Sequence, residues 1–192
     1  HSDLLELLSL LLGRILQNEL KINEQKRVSE KLEMDSLTDH LTGVFNRRAW
    51  DTFLDLEEDR CKTYGHPTTV IMIDLNDLKA INDKFGHLAG DQMIQKTAQI
   101  LKKNVRSNDL VARLGGDEFG ILNIETTLEN TQKLVNRLLK SLQNAGINAA
   151  LGVAAREPSK NLRMAVIEAD EKMYQHKRQL KSSFDDSIEQ DV

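Results

Sequence analysis

The chain has 192 residues, 40% of them hydrophobic, with a net charge of −4 and no long Lys/Arg tract. That length suits one compact domain plus an extra element, and the acidic balance argues against a general nucleic-acid binder, which would carry a basic face. Two prolines and ten glycines exclude a fibrous repeat, and the single cysteine, Cys61, excludes an internal disulfide framework and a cysteine-based zinc site.

The apolar opening LLELLSLLLGRIL (4–16) is too short to span a bilayer and is interrupted by Glu6 and Arg14. It lacks the basic start and small-residue cleavage site of a signal peptide, so a cytoplasmic protein without direct membrane insertion is expected. His1 and Ser2 resemble a cloning remnant, and the chain reads as cut from a longer protein whose upstream sensory domain is missing. Residues 3 to about 34 contain no proline and predict one long helix. A heptad frame sets Leu8, Leu11, Ile15, Asn18, Ile22, Gln25, Ser29 and Leu32 on one seam. Parallel coiled-coil pairing is the expectation for this 1–34 signalling helix; an amphipathic helix folded onto its own domain is the alternative.

The segment MDSLTDHLTGVFNRRAW (34–50) breaks the pattern with candidate caps at Asp35, Ser36 and Asn46 and a turn at Gly43. A helix to about Tyr64 follows, then the loop YGHP (64–67). The β-branched run TTVIMIDL (68–75) predicts a buried central strand. Residues 78–87 read as helix bending at Gly86, and 89–105 as a helix with one apolar face. DLVARL (109–114) and FGILNI (119–124) predict a hairpin. An amphipathic helix over 127–145, a strand at 148–155 and a last helix over 161–182 complete the domain at 35–182. Residues 183–192 are expected to be a flexible tail. Strands alternating with helices, plus one hairpin, imply an α/β fold with a central mixed β-sheet surrounded by helices.

Chemistry concentrates where RLGGDEFGIL (113–122) puts two glycines against two adjacent acids at a hairpin tip, with no basic residue beside them. Asp74 closes the buried strand, where ligand sites of open α/β sheets lie. Alone, Asp74 suits a helix cap, and Asp117 with Glu118 suits a solvated turn. If the hairpin lies beside the Asp74 strand, three carboxylates converge, and a cation is needed to offset their repulsion. Hard oxygen donors without a Cys or His cluster suit Mg²⁺ or Mn²⁺ held together with substrate phosphates. Gly115 and Gly116, lacking Cβ atoms, let backbone approach a bulky nucleotide.

These residues resemble a known family. GGDEF (115–119) is the name-giving motif of the GGDEF-domain diguanylate cyclases. DSLTDHLTGVFNRRAW (35–50), DLNDLKAINDKFGHLAGD (74–91), ALGVA (150–154) and ADEKMYQHK (169–177) resemble other segments of the family, in order. The resemblance implies a GGDEF-type fold related to the nucleotidyl cyclase and polymerase palm, and condensation of two GTP into cyclic di-GMP with release of two pyrophosphates. It implies two divalent ions, Mg²⁺ or Mn²⁺, per active site, held by Asp74, the Leu75 carbonyl, Asp117 and Glu118. By the same resemblance Asp117, Glu118 and Lys79 are catalytic, with Asp117 as proton acceptor and Lys79 near the phosphates. Asn82 and Asp91 would read guanine, and His87, Gly115, Gly116, Lys177 and Lys181 would contact substrate.

The sequence departs from the family at Asn76, where an Asp is usual, and in KRQLKSS (177–183), where Leu180 and Lys181 replace Gly and Arg. Lys cannot make the bidentate phosphate fork of Arg. A catalytically weak module that senses GTP or cyclic di-GMP is therefore the alternative. Arg106 and Asp109, in RSND (106–109), resemble the family's inhibitory product site, with Arg137 a candidate secondary arginine. Two antiparallel GTP molecules require a homodimer, because a two-fold axis sets identical sites face to face.

Overall fold

The structure, a computed structural model, describes Arg14, residues 17–27 and residues 36–189. Two compact units divide between Leu37 and Thr38. In the first, residues 17–27 are helical and carry the seam positions Asn18, Ile22 and Gln25, with Leu20 and Ile22 exposed. Leu8, Leu11, Ile15, Ser29 and Leu32 lie outside the described residues.

The second unit runs α1 (Arg47–Tyr64), β1 (Thr69–Leu75), α2 (Leu78–Phe85), α3 (His87–Asn104), β2 (Leu110–Gly115), β3 (Glu118–Asn123), α4 (Leu128–Asn144), β4 (Ala149–Ala155) and α5 (Leu162–Glu189). Caps explain several boundaries. The Asn46 side chain accepts from Ala49 N–H at the start of α1, and Thr127 accepts from Asn130 N–H at the start of α4. Gly86, at φ 85°, separates α2 from α3 in a conformation a side chain resists.

The strands form one sheet in the order β2-β3-β1-β4, a split β-α-β arrangement with β3 inserted between β1 and β2. Every strand pair is antiparallel. Mixed strand directions were expected from the alternation of strands and helices. The difference arises because β3 and β4, not β2, flank β1. The one parallel pairing among the described residues is an isolated bridge, Phe45 to Ala112.

All seven residues of β1 are buried, which explains an apolar run without alternation. Ile71, Ile73 and Leu75 face one core with α3 and α4, built around Leu101, Ile121 and Leu138. Val70 and Met72 face a second core with Trp50 and Leu54 of α1 and Ala165, Ala169 and Met173 of α5. The two-residue period of a strand therefore turns Asp74 toward the α5 side. Helix α5 continues to Glu189, past residue 182 where its end was expected, because KRQLKSS holds no Gly or Pro stop signal.

Candidate active site

The site is assembled by sheet register. Asp74 is the cross-strand partner of Glu118, as Ile73 is of Phe119. Directly opposed residues in an antiparallel pair bring their side chains together on one face. The Leu75 N–H donates to the Asp117 carbonyl at 3.1 Å, tying the hairpin tip to the end of β1. Register thus brings the backbone of Asp74 beside that of Asp117 and Glu118, more than 40 residues further along the chain, at one end of the two central strands. Their three carboxylates do not gather into one close group of ligand atoms among the described residues. Asp74 is buried, while Asp117 and Glu118 are half-buried.

The turn is braced from outside. Arg113 donates to the Gly116 carbonyl through Nε at 3.2 Å and Nη2 at 2.8 Å, and its Nη1 lies 3.3 Å from both carboxylate oxygens of Asp39. Burial alone would raise the Asp39 pKa; the Thr42 hydroxyl, at 2.6 Å, and the Arg113 guanidinium more than offset it and hold the carboxyl below the usual carboxylate range. The absence of a basic residue beside the two acids therefore has a complement. Arg113 is close in sequence, yet it fastens the turn backbone to Asp39 and is not used to neutralise the acids. Sequence reasoning missed this Asp39–Arg113 clamp, whose partners lie 74 residues apart.

Gly115 and Gly116 do not occupy the left-handed backbone region, so the turn does not require glycine for its dihedrals. A Cβ on Gly116 would meet nothing within 4 Å, and one on Gly115 would meet only Glu118 Oε2, at 3.6 Å. The two glycines leave open space at the turn.

Lys177 reaches the site from α5, with Nζ 2.5 Å from Asp74 Oδ1. The helix is held there by close packing: a Cβ on Gly152 of β4 would lie 2.0 Å from Ala169 O and 2.2 Å from Met173 N. His176 Nδ1 also accepts from Leu151 N–H at 3.0 Å. Gly152 and His176 are positioning residues that sequence reasoning did not single out. The Lys181 side chain lies outside the described residues, and Leu180 falls within the continuous helix.

On the other side of Leu75, the turn Asn76–Asp77 leads into α2. Asp77 has φ 65°, an uncommon value for a residue with a side chain, in a stretch adjoining the carboxylates. Asn76 Oδ1 and Asn82 Oδ1 are buried without a hydrogen-bond partner among the described residues. Asn82 points at α3, where a Cβ on Gly90 would come within 2.0 Å of its Oδ1. Asp91 follows Gly90 and is half-buried; Lys79 and His87 are exposed.

By their chemistry the donors suit a hard divalent cation: carboxylate oxygens only, at the end of two central strands, with open space beside the turn. Asp74 accepts from the Lys177 ammonium, and the three carboxylates are not drawn into one close group among the described residues.

Arg106, Asp109 and Arg137 come together elsewhere, lining a cavity of about 250 Å³ with Asn104, Asn123 and Asn130. Asp109 accepts from Arg106 N–H at 2.9 Å and Ile124 N–H at 3.3 Å. Arg137 donates from Nε to Asn104 Oδ1 at 3.1 Å. Asn123 is buried, and neither end of its amide has a partner among the described residues.

A family profile described as "Diguanylate cyclase, GGDEF domain" matches residues 36–183. The chain belongs to the GGDEF-domain diguanylate cyclase family. This GGDEF domain is 36% identical over 126 residues to the probable diguanylate cyclase DgcC of Escherichia coli K12, a match covering 66% of this chain and 33% of DgcC. The chain thus spans about a third of that relative. Its fold superposes with TM-score 0.79 on the coiled coil and GGDEF domain of DgcB from Caulobacter crescentus, crystallised with c-di-GMP, at 22% identity, covering 88% of this chain and 94% of the other. A microbial GGDEF domain, described with cyclic di-GMP in a novel interaction mode, is 29% identical with TM-score 0.72, covering 77% of this chain and 94% of that one. Among the described residues no helix of the GGDEF domain is long and apolar enough to cross a membrane.

Proposed function

We propose that the domain condenses two GTP into cyclic di-GMP. In each half-reaction a 3′-hydroxyl attacks an α-phosphate, a 3′-O–P bond forms, the α–β phosphoanhydride breaks and pyrophosphate leaves. The observation that carries this reading is the cross-strand placement of Asp74 opposite Glu118, with Asp117 in the turn between the hairpin strands.

Asp74, Asp117, Glu118 and the Leu75 carbonyl would hold two Mg²⁺ or Mn²⁺ ions. When bound, the metal supplies Lewis-acid stabilisation of the attacking and leaving oxygens. Asp117 takes the proton of the attacking hydroxyl. Lys79, Lys177 and Lys181 offset triphosphate charge. Asn82 and Asp91 read the guanine edge, with His87 as a further substrate contact. Asn82 packs against Gly90, the residue before Asp91, so the two assigned residues are neighbours across α2 and α3, which supports a shared role. The open space beside Gly116 supports close approach of the nucleotide to the turn.

One domain presents one such site, so the two GTP molecules are brought together by a two-fold homodimer, and orientation supplies most of the rate effect. The 1–34 helix would set the spacing of the two domains as a coiled coil, with polar Asn18 and Gln25 on its seam allowing two registers. An upstream sensory domain would act through it. Product inhibition is assigned to Arg106, Asp109 and Arg137. Arginine can fork onto phosphate or guanine O6/N7, and an aspartate accepts from guanine N1 and N2. The cavity there is smaller than most whole-ligand pockets and suits one base of a dinucleotide.

A second reading, nucleotide sensing without turnover, is favoured by Asn76, which removes a negative charge next to Leu75. Incubation with GTP and Mg²⁺ separates the two: pyrophosphate and a cyclic dinucleotide support catalysis, and binding without turnover supports the sensor. Asp117→Asn and Glu118→Gln should abolish pyrophosphate release. Both residues are half-buried turn or strand-end positions, so stability should change by about 0.5 kcal/mol or less. Retained turnover would refute the metal assignment.

A further inference from the structure

At the opposite end of β1 from Asp74, about 20 Å away along the strand, the loop after α1 folds His66 back over Glu57 and Cys61. We infer that these residues form a binding site for a borderline-soft divalent cation, zinc above all, separate from the carboxylate site. Glu57 and Cys61 lie one turn apart on α1 and are both buried; the His66 side chain is 13% exposed. Three donor atoms make a nearly equilateral triangle. Glu57 Oε1 to His66 Nδ1 is 3.6 Å, Cys61 Sγ to His66 Nδ1 is 3.7 Å, and Cys61 Sγ to Glu57 Oε1 is 3.8 Å. An ion at its centre would lie about 2.1 Å from each donor, within the roughly 2.0–2.3 Å of zinc bonds to oxygen, nitrogen and sulfur. The Thr68 hydroxyl caps the triangle, 2.8 Å from Glu57 Oε1, 3.2 Å from Cys61 Sγ and 3.4 Å from His66 Nδ1. It supplies a fourth oxygen corner.

The electrostatics agree. Glu57 is a buried carboxylate whose ion pair with Arg60 spans 3.7 Å, and that half-exposed guanidinium also serves Glu125 at 3.6 Å. A buried charge with a distant, shared counter-ion favours a closer cation. His66 Nε2 is buried and has no partner among the described residues, so the ring's contacts are made through Nδ1. One cysteine excludes a zinc site built of cysteines alone; a mixed Cys/His/Glu set needs only one. Capture breaks the Cys61 S–H bond, forms a metal–sulfur bond and releases the proton to solvent. Burial pushes that thiol up from its ordinary value, so the metal must displace a firmly held proton.

The full chain, stripped with chelator, is titrated with Co²⁺ and then Zn²⁺. Cys61 is the only cysteine, so a thiolate-to-cobalt charge-transfer band can come from nowhere else in the molecule. The expected result is one such band saturating at one equivalent, bleached by Zn²⁺. Zn²⁺ at about 100 times its Kd should raise Tm by about 5–10 °C. Cys61→Ser and His66→Gln should lose both effects. Absence of the band, or an undiminished Zn²⁺ shift in Cys61→Ser, overturns the inference by placing any binding at the carboxylate site. Should Cys61→Ser fail to fold, His66→Gln, at a loop position, carries the test. A full-strength band in that variant overturns the three-ligand site.

Discussion

Gly152→Ala tests how α5 is held over the active site. The added Cβ would stand 2.0 Å from Ala169 O and 2.2 Å from Met173 N, against ordinary contacts of 3.4 Å or more. Both obstacles are helix backbone, so no rotamer change relieves them, and α5 must retreat from β4 by more than an ångström. Overpacking of a core costs about 1–3 kcal/mol, and a clash with rigid backbone belongs at the upper end. For a domain of this size about 3 kcal/mol lowers Tm by about 6–12 °C. Lys177 lies one turn beyond Met173, so the same retreat loosens its 2.5 Å contact with Asp74. Urea denaturation with the m-value monitored reads the first effect, and the KM for GTP reads the second. An unchanged midpoint in Gly152→Ala would show that α5 does not sit against β4 as described, and the route by which Lys177 reaches Asp74 would fall with it.

Gly116→Ala should behave oppositely. Its Cβ meets nothing in the fold, so stability should stay within about 0.5 kcal/mol while KM for GTP rises; unchanged kinetics would remove the nucleotide from the turn. Arg106→Ala should relieve inhibition by added cyclic di-GMP without altering the initial rate at low product, as followed by pyrophosphate release; persisting inhibition would move the product site elsewhere. Glu58 predicts a pH dependence. The Arg156 fork, at 2.9 and 3.0 Å, and the Leu162 N–H, at 2.7 Å, hold its carboxyl below the ordinary value of 4.5 despite burial. A depressed folded-state pKa stabilises above the unfolded value and loses that stability as pH falls through the folded one. Glu58→Gln should therefore cost about 3–5 kcal/mol at neutral pH, as a broken buried pair does. Its gap from the unmodified protein should narrow as pH falls below 4.5; a constant gap in chemical denaturation would contradict the ion pair.

The elements that were legible in the sequence are those whose signal is local. The run TVIMIDL announced a strand covered on both faces, and the Gly115–Glu118 stretch announced a hairpin whose strands end within a residue of their expected limits. The convergence of Asp74 with Asp117 and Glu118 was a conditional reading: sheet register places the hairpin beside the Asp74 strand, but the three carboxylates do not form one close group of ligand atoms among the described residues. What stayed hidden depends on long-range placement. Antiparallel β4 beside β1 cannot be read from either strand alone, and neither can the role of Gly152, which looks like any glycine in a strand until α5 lies on it. Cys61 was set aside as a lone cysteine because His66 acquires meaning only when the loop folds back on α1.

The described glycines separate by cause, and the separation bears on the active site. Gly43, Gly65, Gly86 and Gly146 have positive φ and answer to the backbone. Gly90, Gly120 and Gly152 would each drive a Cβ to within 3.0 Å of a neighbour and answer to packing. Gly115 and Gly116 meet neither demand: their dihedrals admit side chains, and a Cβ on either finds at most an ordinary contact. Glycine also weakens a folded chain by about 0.5–1 kcal/mol relative to alanine through its entropy when unfolded. Two such residues side by side, unexplained by the fold itself, accord with the proposed close approach of a nucleotide to the turn. The carboxylates flanking that opening carry charge suited to a cation, and a cation bridges carboxylates to phosphate. If the proposed nucleotide binds there, the turn gives up a little stability for it, while the Arg113–Asp39 clamp ties the turn backbone to a strand and a distant loop.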